Sequence, residues 1–180
     1  MRLSANLGGS VVVVTGPPGA GKSTASAQLV TLTDRGVLLD GDAFFASVKT
    51  GWIAPWLPES GEQNRTVIDA LGSAAARFAR GGYVVFVDGI LGPWFLERFR
   101  AELDGALHYV VIRPNRNAAF ARASARPVAR MNEAEAVTKM YDEFESIGVY
   151  ERCVIDNSMQ SLDETVVSMA EGLTSGRFRV

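Results

Sequence analysis

Short apolar runs alternate with longer amphipathic segments along this chain. The apolar runs predict five strands, at residues 11–15, 37–40, 83–88, 107–112 and 154–155. The intervening segments predict helices at residues 24–30, 64–80, 93–103, 133–147 and 162–173, the last begun by a capping box of Ser161 and Glu164. Strands that are apolar throughout and joined by helices predict an α/β fold, in which a parallel sheet is covered on both faces. Ligands of such sheets bind at the carboxyl ends of the strands.

The loop after the first predicted strand has the spacing G-x-x-x-x-G-K-S. Its glycines let backbone N–H groups approach a phosphate chain, and the following helix directs its positive end at the same anion. We expect Lys22 to reach the terminal phosphates and the Ser23 hydroxyl to be a magnesium ligand. The strand before the motif and the helix after it make a chance match improbable. The predicted cofactors are therefore ATP and Mg²⁺, and the predicted nucleotide-binding residues are Gly16, Pro17, Pro18, Gly19, Ala20, Gly21, Lys22, Ser23 and Thr24.

Three aspartates stand at the ends of predicted strands. Asp42 lies just past the second strand, from where its carboxylate can accept the proton of an attacking hydroxyl group. Asp40 is the alternative base and a candidate acceptor contact, and either residue of the pair can instead cap the next helix. Asp88 ends the third strand, where it is predicted to hold magnesium together with Ser23, unless it is only a strand-end carboxylate.

A basic segment follows the fourth predicted strand. No acidic residue lies between Asp104 and Glu133, and Arg122 and Arg126 are four positions apart, so that on a helix they share one face. Such a face can clamp the transferring phosphoryl group, which makes residues 114–131 a predicted arginine-rich lid. The alternative is a basic helix face that is merely solvated.

Residues 43–80 are the predicted acceptor-binding region. Aromatic residues of segment 43–60 stand among glycines and prolines, too broken for a regular helix. Trp52 and Trp56 are predicted to form a wall for a bulky, partly apolar acceptor, the alternative being that they pack a small core beneath the loop. The next helix opens with polar residues that can hydrogen-bond the acceptor, or can each be an ordinary polar surface residue: Glu62, Asn64 and Arg65. Of these, Arg65 is the predicted acceptor contact.

The composition of the chain bears on its number of domains, its partners and its cellular location. With 180 residues, of which 47% are hydrophobic, the chain is expected to form a single domain over residues 1–180. The net charge of −2 disfavours nucleic acid as a partner. No apolar run is long enough to cross a bilayer, the first ten residues have no signal-peptide core, and the lone cysteine suits a reducing compartment. A cytoplasmic location without membrane contact is expected.

Missing motifs narrow the class of nucleotide-binding protein. Asp88 is followed by Gly89 rather than by the glutamate that activates water in motor ATPases. The N-K-x-D motif that reads the base in GTPases does not occur in the chain. A small kinase, whose acceptor is a substrate hydroxyl rather than water, is the class that fits.

The order of these motifs resembles the small P-loop kinases, most closely the chloramphenicol phosphotransferase-like enzymes, which are relatives of the shikimate, gluconate and adenylylsulfate kinases. The similarity is most specific over residues 81–89, 111–113, 122–126 and 148–158. It implies a three-layer P-loop NTPase fold with a five-stranded parallel sheet in the order 2-3-1-4-5. It also implies that Asp42 is the base, that Arg122 and Arg126 contact ATP phosphates, and that the loop 156–160, with Asn157 and Ser158, lies by the adenine.

The sequence therefore predicts an ATP- and Mg²⁺-dependent phosphotransferase with an alcohol group as acceptor. The γ-phosphate is expected to pass to a hydroxyl group of a small molecule, an antibiotic being one candidate. A nucleoside, nucleotide or sugar-nucleotide kinase is an alternative, although aromatic residues and prolines replace the polar base-reading pocket expected there. A non-catalytic ATP-binding switch is another, against which Asp42 and the lid arginines count. Neither the acceptor nor the oligomeric state can be read from the sequence.

Overall fold

Residues 2–3, 7–124 and 133–180 are described by the computed structural model of the protein. Five strands are present: β1 (Val11–Thr15), β2 (Gly36–Asp40), β3 (Val84–Asp88), β4 (Leu107–Ile112) and β5 (Val154–Ile155). The α-helices are α1 (Lys22–Val30), α2 (Gly41–Ala46), α3 (Gly61–Arg80), α4 (Pro93–Ala101), α5 (Arg116–Ser124), α6 (Glu133–Glu145) and α7 (Leu162–Thr174). Short 3₁₀ helices occupy Pro58–Ser60 and Gly148–Cys153.

The strands form one parallel sheet in the order β2-β3-β1-β4-β5, which confirms the predicted fold. Every residue of β1, β3 and β4 is buried, because each of these strands has a neighbour on both sides and helices over both faces. The edge strand β2 differs from the prediction of a sheet covered on both faces. Its residues alternate between exposed and half-buried, so that one of its faces is open to solvent.

Helices α2 and α5 are the two α-helices that the pattern of apolar residues did not predict. Helix α2 is the shorter of the two. It begins directly after β2, where Asp40 is its N-cap, and it is only six residues long. Phe44 and Phe45 pack from α2 against the core, which favours a helical turn in a segment of weak local propensity. The capping box of Ser161 and Glu164 at the start of α7 is confirmed.

The parallel arrangement brings the loops after β1, β2, β3 and β5 to one edge of the sheet. The phosphate-loop motif follows β1, α2 follows β2, and Asp88 is the last residue of β3. Helix α3 lies against α2 and α4 and reaches the same edge at its first turn. In the part of the chain that the structure describes, none of the helices is long and apolar enough to span a bilayer.

Candidate functional site

The loop between β1 and α1 depends on glycine at two positions where other chain segments come close. Gly16 has a φ of 140°, and a Cβ there would lie 2.0 Å from the carbonyl oxygen of Ile112. Gly19 has a φ of 79°, and a Cβ there would lie 2.1 Å from the carbonyl oxygen of Ala119. Both glycines are therefore required by packing as well as by the left-handed backbone.

Lys22 lies across this loop at the start of α1. Its ammonium group donates hydrogen bonds to the carbonyl oxygens of Gly16 and Pro17, at 3.0 and 3.1 Å. The side chain is buried, although it also lines the large cavity of the protein. The loop thus presents backbone groups, a cation and the amino end of α1 at one place, which is the chemistry that binds a chain of phosphates.

Ser23 and Asp88 meet next to Lys22. Burial raises the pKa of the Asp88 carboxyl group, while the hydrogen bond with Ser23 and the charge of Lys22 lower it, and the charges of Asp40 and Asp42 raise it again. Among the described residues, none offers a hydrogen bond to the buried Oδ1 atom of Asp88. An orphaned carboxylate oxygen next to a serine hydroxyl fits Mg²⁺, a hard cation that prefers oxygen ligands.

The two aspartates after β2 have different surroundings. Oδ1 of Asp40 accepts hydrogen bonds from the backbone N–H groups of Asp42 and Ala43, at 2.9 and 3.3 Å, so Asp40 caps α2. Asp42, in the first turn of α2, lines the cavity together with Lys22 and Asp88. Of the two candidate bases, the structure brings only Asp42 into the cavity lining.

The cavity measures about 1270 Å³ and continues from the phosphate loop between α2, α3, α5 and α6. Its aromatic lining consists of Phe45, Trp52, Trp56, Trp94, Phe95 and Phe120. All three tryptophans of the chain are thus in this lining. Arg65, a predicted acceptor contact, is exposed and lies outside the lining, whereas its buried neighbour Asn64 lies within it.

Hydrogen bonds to α3 hold the irregular segment after α2 in place. Nδ2 of Asn64 donates to the carbonyl oxygen of Pro55 at 2.7 Å and to Oγ of Ser60 at 2.9 Å. The Gln63 side chain bonds both the N–H and the carbonyl group of Ile53, at 2.8 and 2.7 Å. The bonds to Ile53 and Pro55 fix the backbone between the tryptophans at positions 52 and 56, which explains how a segment without regular structure forms one wall of the cavity.

Arg122 lies beside the phosphate loop rather than in the cavity lining. Its guanidinium group donates to the main-chain carbonyl of Asn157 at 3.2 Å, and the side-chain amide of Asn157 donates to the carbonyl of Ala20 at 3.0 Å. Ser158, next in the chain, accepts a hydrogen bond from the Asn115 N–H group through its hydroxyl oxygen at 2.7 Å. Thr24 is exposed in the first turn of α1.

Two arginines of the basic segment, Arg113 and Arg116, form ion pairs with carboxylates of the described residues rather than contacts with the phosphate loop. Arg113 forms an ion pair with Glu151 at 2.8 Å, and Arg116 forms one with Asp142 of α6. These two arginines therefore join α5 and β4 to later parts of the chain. Arg126, the second predicted lid arginine, lies outside the described residues.

Helix α6 contributes to the cavity in a way that sequence reasoning did not identify. Nζ of Lys139 donates to the carbonyl oxygen of Trp56 at 3.2 Å, and the ring of Phe144 packs edge-on against Trp94 with centroids 5.6 Å apart. The residues of α6 with described side chains that line the cavity are Val137, Lys139, Met140 and Glu143. Helical spacing indicates the helix, but nothing in its local sequence indicates that it packs over a loop some eighty positions earlier.

Comparison with known proteins agrees with this architecture. Residues 12–140 match the family model described as AAA domain. A sugar kinase from Janibacter sp. HTCC2649 superposes with a TM-score of 0.71 at 18% identity, over 91% of this chain and 94% of the other. A gluconokinase from Sinorhizobium meliloti 1021 gives 0.68 at 19% identity, over 98% and 99% of the two chains.

The tunicamycin resistance protein of Deinococcus radiodurans is also similar, with a TM-score of 0.69 at 13% identity, over 91% of this chain and 95% of the other. A comparison with curated proteins finds no significant match. At such low identities the likeness concerns the fold, which is that of the small P-loop kinases.

Proposed function

The chain belongs to the AAA domain family, and from this premise we propose that it is a kinase that transfers the γ-phosphate of ATP to a hydroxyl group of a small molecule. The observation that carries the proposal is the composition of one cavity. Lys22 and Ser23 of the phosphate loop, the Asp42 carboxylate and three tryptophans line it together. A phosphate donor site therefore opens into a space suited to an organic acceptor.

The nucleotide end of the cavity is built to hold phosphates. On binding, the Lys22 ammonium exchanges the carbonyl oxygens of its own loop for the terminal phosphate oxygens. Ser23 and Asp88 are the residues that would hold Mg²⁺, for which the orphaned Oδ1 atom of Asp88 is the supporting observation. Bound there, magnesium would neutralise phosphate charge and help to orient the γ-phosphate.

Asp42 carries the acid–base part of the proposed reaction. The acceptor oxygen forms a bond to the γ-phosphorus while the bond from that phosphorus to the bridging oxygen of ADP breaks. The acceptor hydroxyl loses its proton in this step, and the Asp42 carboxylate takes it. Asp40 does not have this role in the proposal, because its carboxylate is engaged by two backbone N–H groups of α2.

Arg122 serves the phosphoryl group in the proposal. Asn157 holds its guanidinium group next to the phosphate loop, to which Asn157 is itself hydrogen-bonded. In the proposal the guanidinium charge acts on the transferring phosphate, where negative charge spreads over three oxygens in the transition state. Arg126 is proposed for the same task on the grounds of its spacing alone.

The test is to incubate the purified protein with ATP and Mg²⁺ and with hydroxyl compounds of several classes: aminoglycosides, phenicols, sugars, shikimate-like acids and nucleosides. ADP release and the mass of the acceptor are measured together. We expect one class to gain a phosphoryl group and Lys22→Ala to abolish the transfer. Transfer at the wild-type rate by Lys22→Ala, or ADP release that no acceptor increases, would contradict the proposal.

A further inference from the structure

Helix α6 contacts two of the three tryptophans that line the cavity. Lys139 is bonded to the backbone of Trp56, and Phe144 packs against the ring of Trp94. Glu143 precedes Phe144 on the same helix and lines the cavity with both indoles. The contacts of Lys139 and Phe144 bring α6 alongside both tryptophans. Glu143 lies between Lys139 and Phe144 on the helix.

Glu143 is exposed to solvent and lines the cavity without a partner among the described residues. Within residues 2–3, 7–124 and 133–180 it has neither a hydrogen bond nor an ion pair. Lys139, one helical turn away, donates to the Trp56 carbonyl instead. An anion beside aromatic rings attracts organic cations, because the ring faces and the carboxylate both favour positive charge.

The other polar groups of the cavity point to the same kind of ligand. Lys22, Ser23 and Asp88 belong to the nucleotide end. The other polar side chains of the described lining are those of Asp42, Asn64, Ser124, Lys139 and Glu143. Oδ1 of Asn64 is buried, and no described residue donates a hydrogen bond to it. Among the described residues, this part of the lining thus has four oxygen-bearing side chains and one cation, a balance that disfavours acids and favours donors of hydrogen bonds.

We propose that Glu143, Trp56 and Trp94 form a subsite for an ammonium group of the acceptor. The acceptor is then an amphipathic amino alcohol: its basic nitrogen binds at this subsite, its apolar body lies along the aromatic lining, and its hydroxyl group reaches Asp42. The inference rests on the proposed function, since it names the substrate class for the same cavity.

Tryptophan fluorescence provides a direct measurement, because all three tryptophans of the chain line the cavity. Three probes share a phenyl ring and a hydroxyl group but differ in charge: phenylalaninol is cationic, N-acetylphenylalaninol is neutral and 3-phenyllactate is anionic. None of them contains an indole. Titration of the whole protein with each probe gives the order of affinities. We expect the cation to bind about tenfold more tightly than the neutral amide, and the anion to bind most weakly.

Glu143→Gln removes the charge and keeps the shape, and Glu171→Gln, at an exposed site on α7 away from the cavity, is the matched control. We expect Glu143→Gln to bind the cation and the neutral amide equally, and Glu171→Gln to behave as the wild type. The proposal is overturned if the wild type shows no preference for the cation, if none of the probes binds, or if Glu143→Gln weakens all three probes alike.

The binding experiment does not require transfer, so the two proposals can fail separately. A charge preference that depends on Glu143, without phosphorylation of any alcohol, would contradict the kinase proposal and leave the subsite standing. Phosphorylation of alcohols irrespective of an amino group would support the kinase proposal and overturn the subsite.

Discussion

The side-chain amide of Asn157 donates a hydrogen bond to the main-chain carbonyl of Ala20, at 3.0 Å. This bond joins the loop after β5 to the phosphate loop after β1. Asn157 is only 6% exposed, and its own carbonyl group accepts a hydrogen bond from Arg122 of α5. One buried residue thus connects the phosphate loop with the helix that carries the predicted lid arginine.

Asn157→Ala is expected to loosen this connection. The loss of a buried amide should lower the free energy of unfolding by about 1–2 kcal/mol and weaken ATP binding, since the phosphate loop is held less firmly. Denaturant unfolding and ATP titration measure the two effects. Asn117→Ala, which truncates an exposed asparagine of α5, is the control. An unchanged affinity for ATP in Asn157→Ala would show that the loop does not depend on this bond.

Asp42→Asn and Asp40→Asn separate the proposed base from the helix cap. Asp42→Asn keeps the shape but not the basicity, so ATP binding should be unchanged while transfer falls by about 10²-fold or more. Asp40→Asn should leave the rate nearly unchanged, because asparagine is as good an N-cap as aspartate. Transfer rates on the acceptor found by screening, measured together with ATP affinities, show which of the two aspartates is the base. A loss of transfer in Asp40→Asn alone would make Asp40 the base.

Asp88→Asn is expected to stabilise the free protein at neutral pH. Burial raises the pKa of this carboxyl group in the folded protein, so its contribution to stability is present at acidic pH and is lost as the pH rises through the raised pKa. The asparagine should therefore increase the free energy of unfolding at neutral pH, and the difference should diminish in acid. The same variant should lose the stabilisation that ATP with Mg²⁺ gives to the wild type.

Unfolding of Asp88→Asn and wild type over a pH series, with and without the nucleotide and metal, measures both effects. Glu171→Gln serves as a control for the removal of an exposed carboxylate. A lower stability of Asp88→Asn at neutral pH would mean that the carboxylate is compensated in the free protein.

Gly19→Ala and Gly176→Ala compare two glycines with nearly the same backbone and different surroundings. Their φ angles are 79° and 77°, but a Cβ at Gly19 would meet the Ala119 carbonyl oxygen, whereas nothing lies within 4 Å of one at Gly176. Gly176→Ala should cost about 1–2 kcal/mol of unfolding free energy through backbone strain alone. Gly19→Ala should cost more and should also abolish ATP binding. Equal costs, with ATP binding retained, would contradict the close packing of the loop against α5.

The sheet was predictable because a strand that is buried on both faces requires apolar residues at nearly every position. β1, β3 and β4 are buried throughout, and their continuous runs of apolar residues indicate buried strands. The phosphate loop was predictable because other backbone segments pack so closely against it that only glycine fits at some of its positions. The predicted bounds of β4 and β5 agree with the structure residue for residue.

The proposed acceptor side of the cavity depends on contacts between residues far apart in the sequence, and local sequence patterns do not indicate such contacts. The bond from Lys139 to the Trp56 carbonyl spans 83 positions. Asn64 and Arg65 are adjacent polar residues with similar local signals, yet the turn of α3 buries the first and exposes the second. The choice between such neighbours is made by packing, so sequence reasoning favoured Arg65 where the structure brings Asn64 to the cavity.

The position of β2 has a consequence for how such a protein can diversify. The phosphate loop leaves β1, which is held by a strand on each side, whereas the acceptor segment leaves β2, which pairs with β3 alone. Replacements after β2 therefore disturb few main-chain bonds of the sheet, while replacements after β1 disturb its centre. The segment proposed to bind the acceptor can thus be exchanged at small thermodynamic cost, whereas exchange of the phosphate loop would cost more.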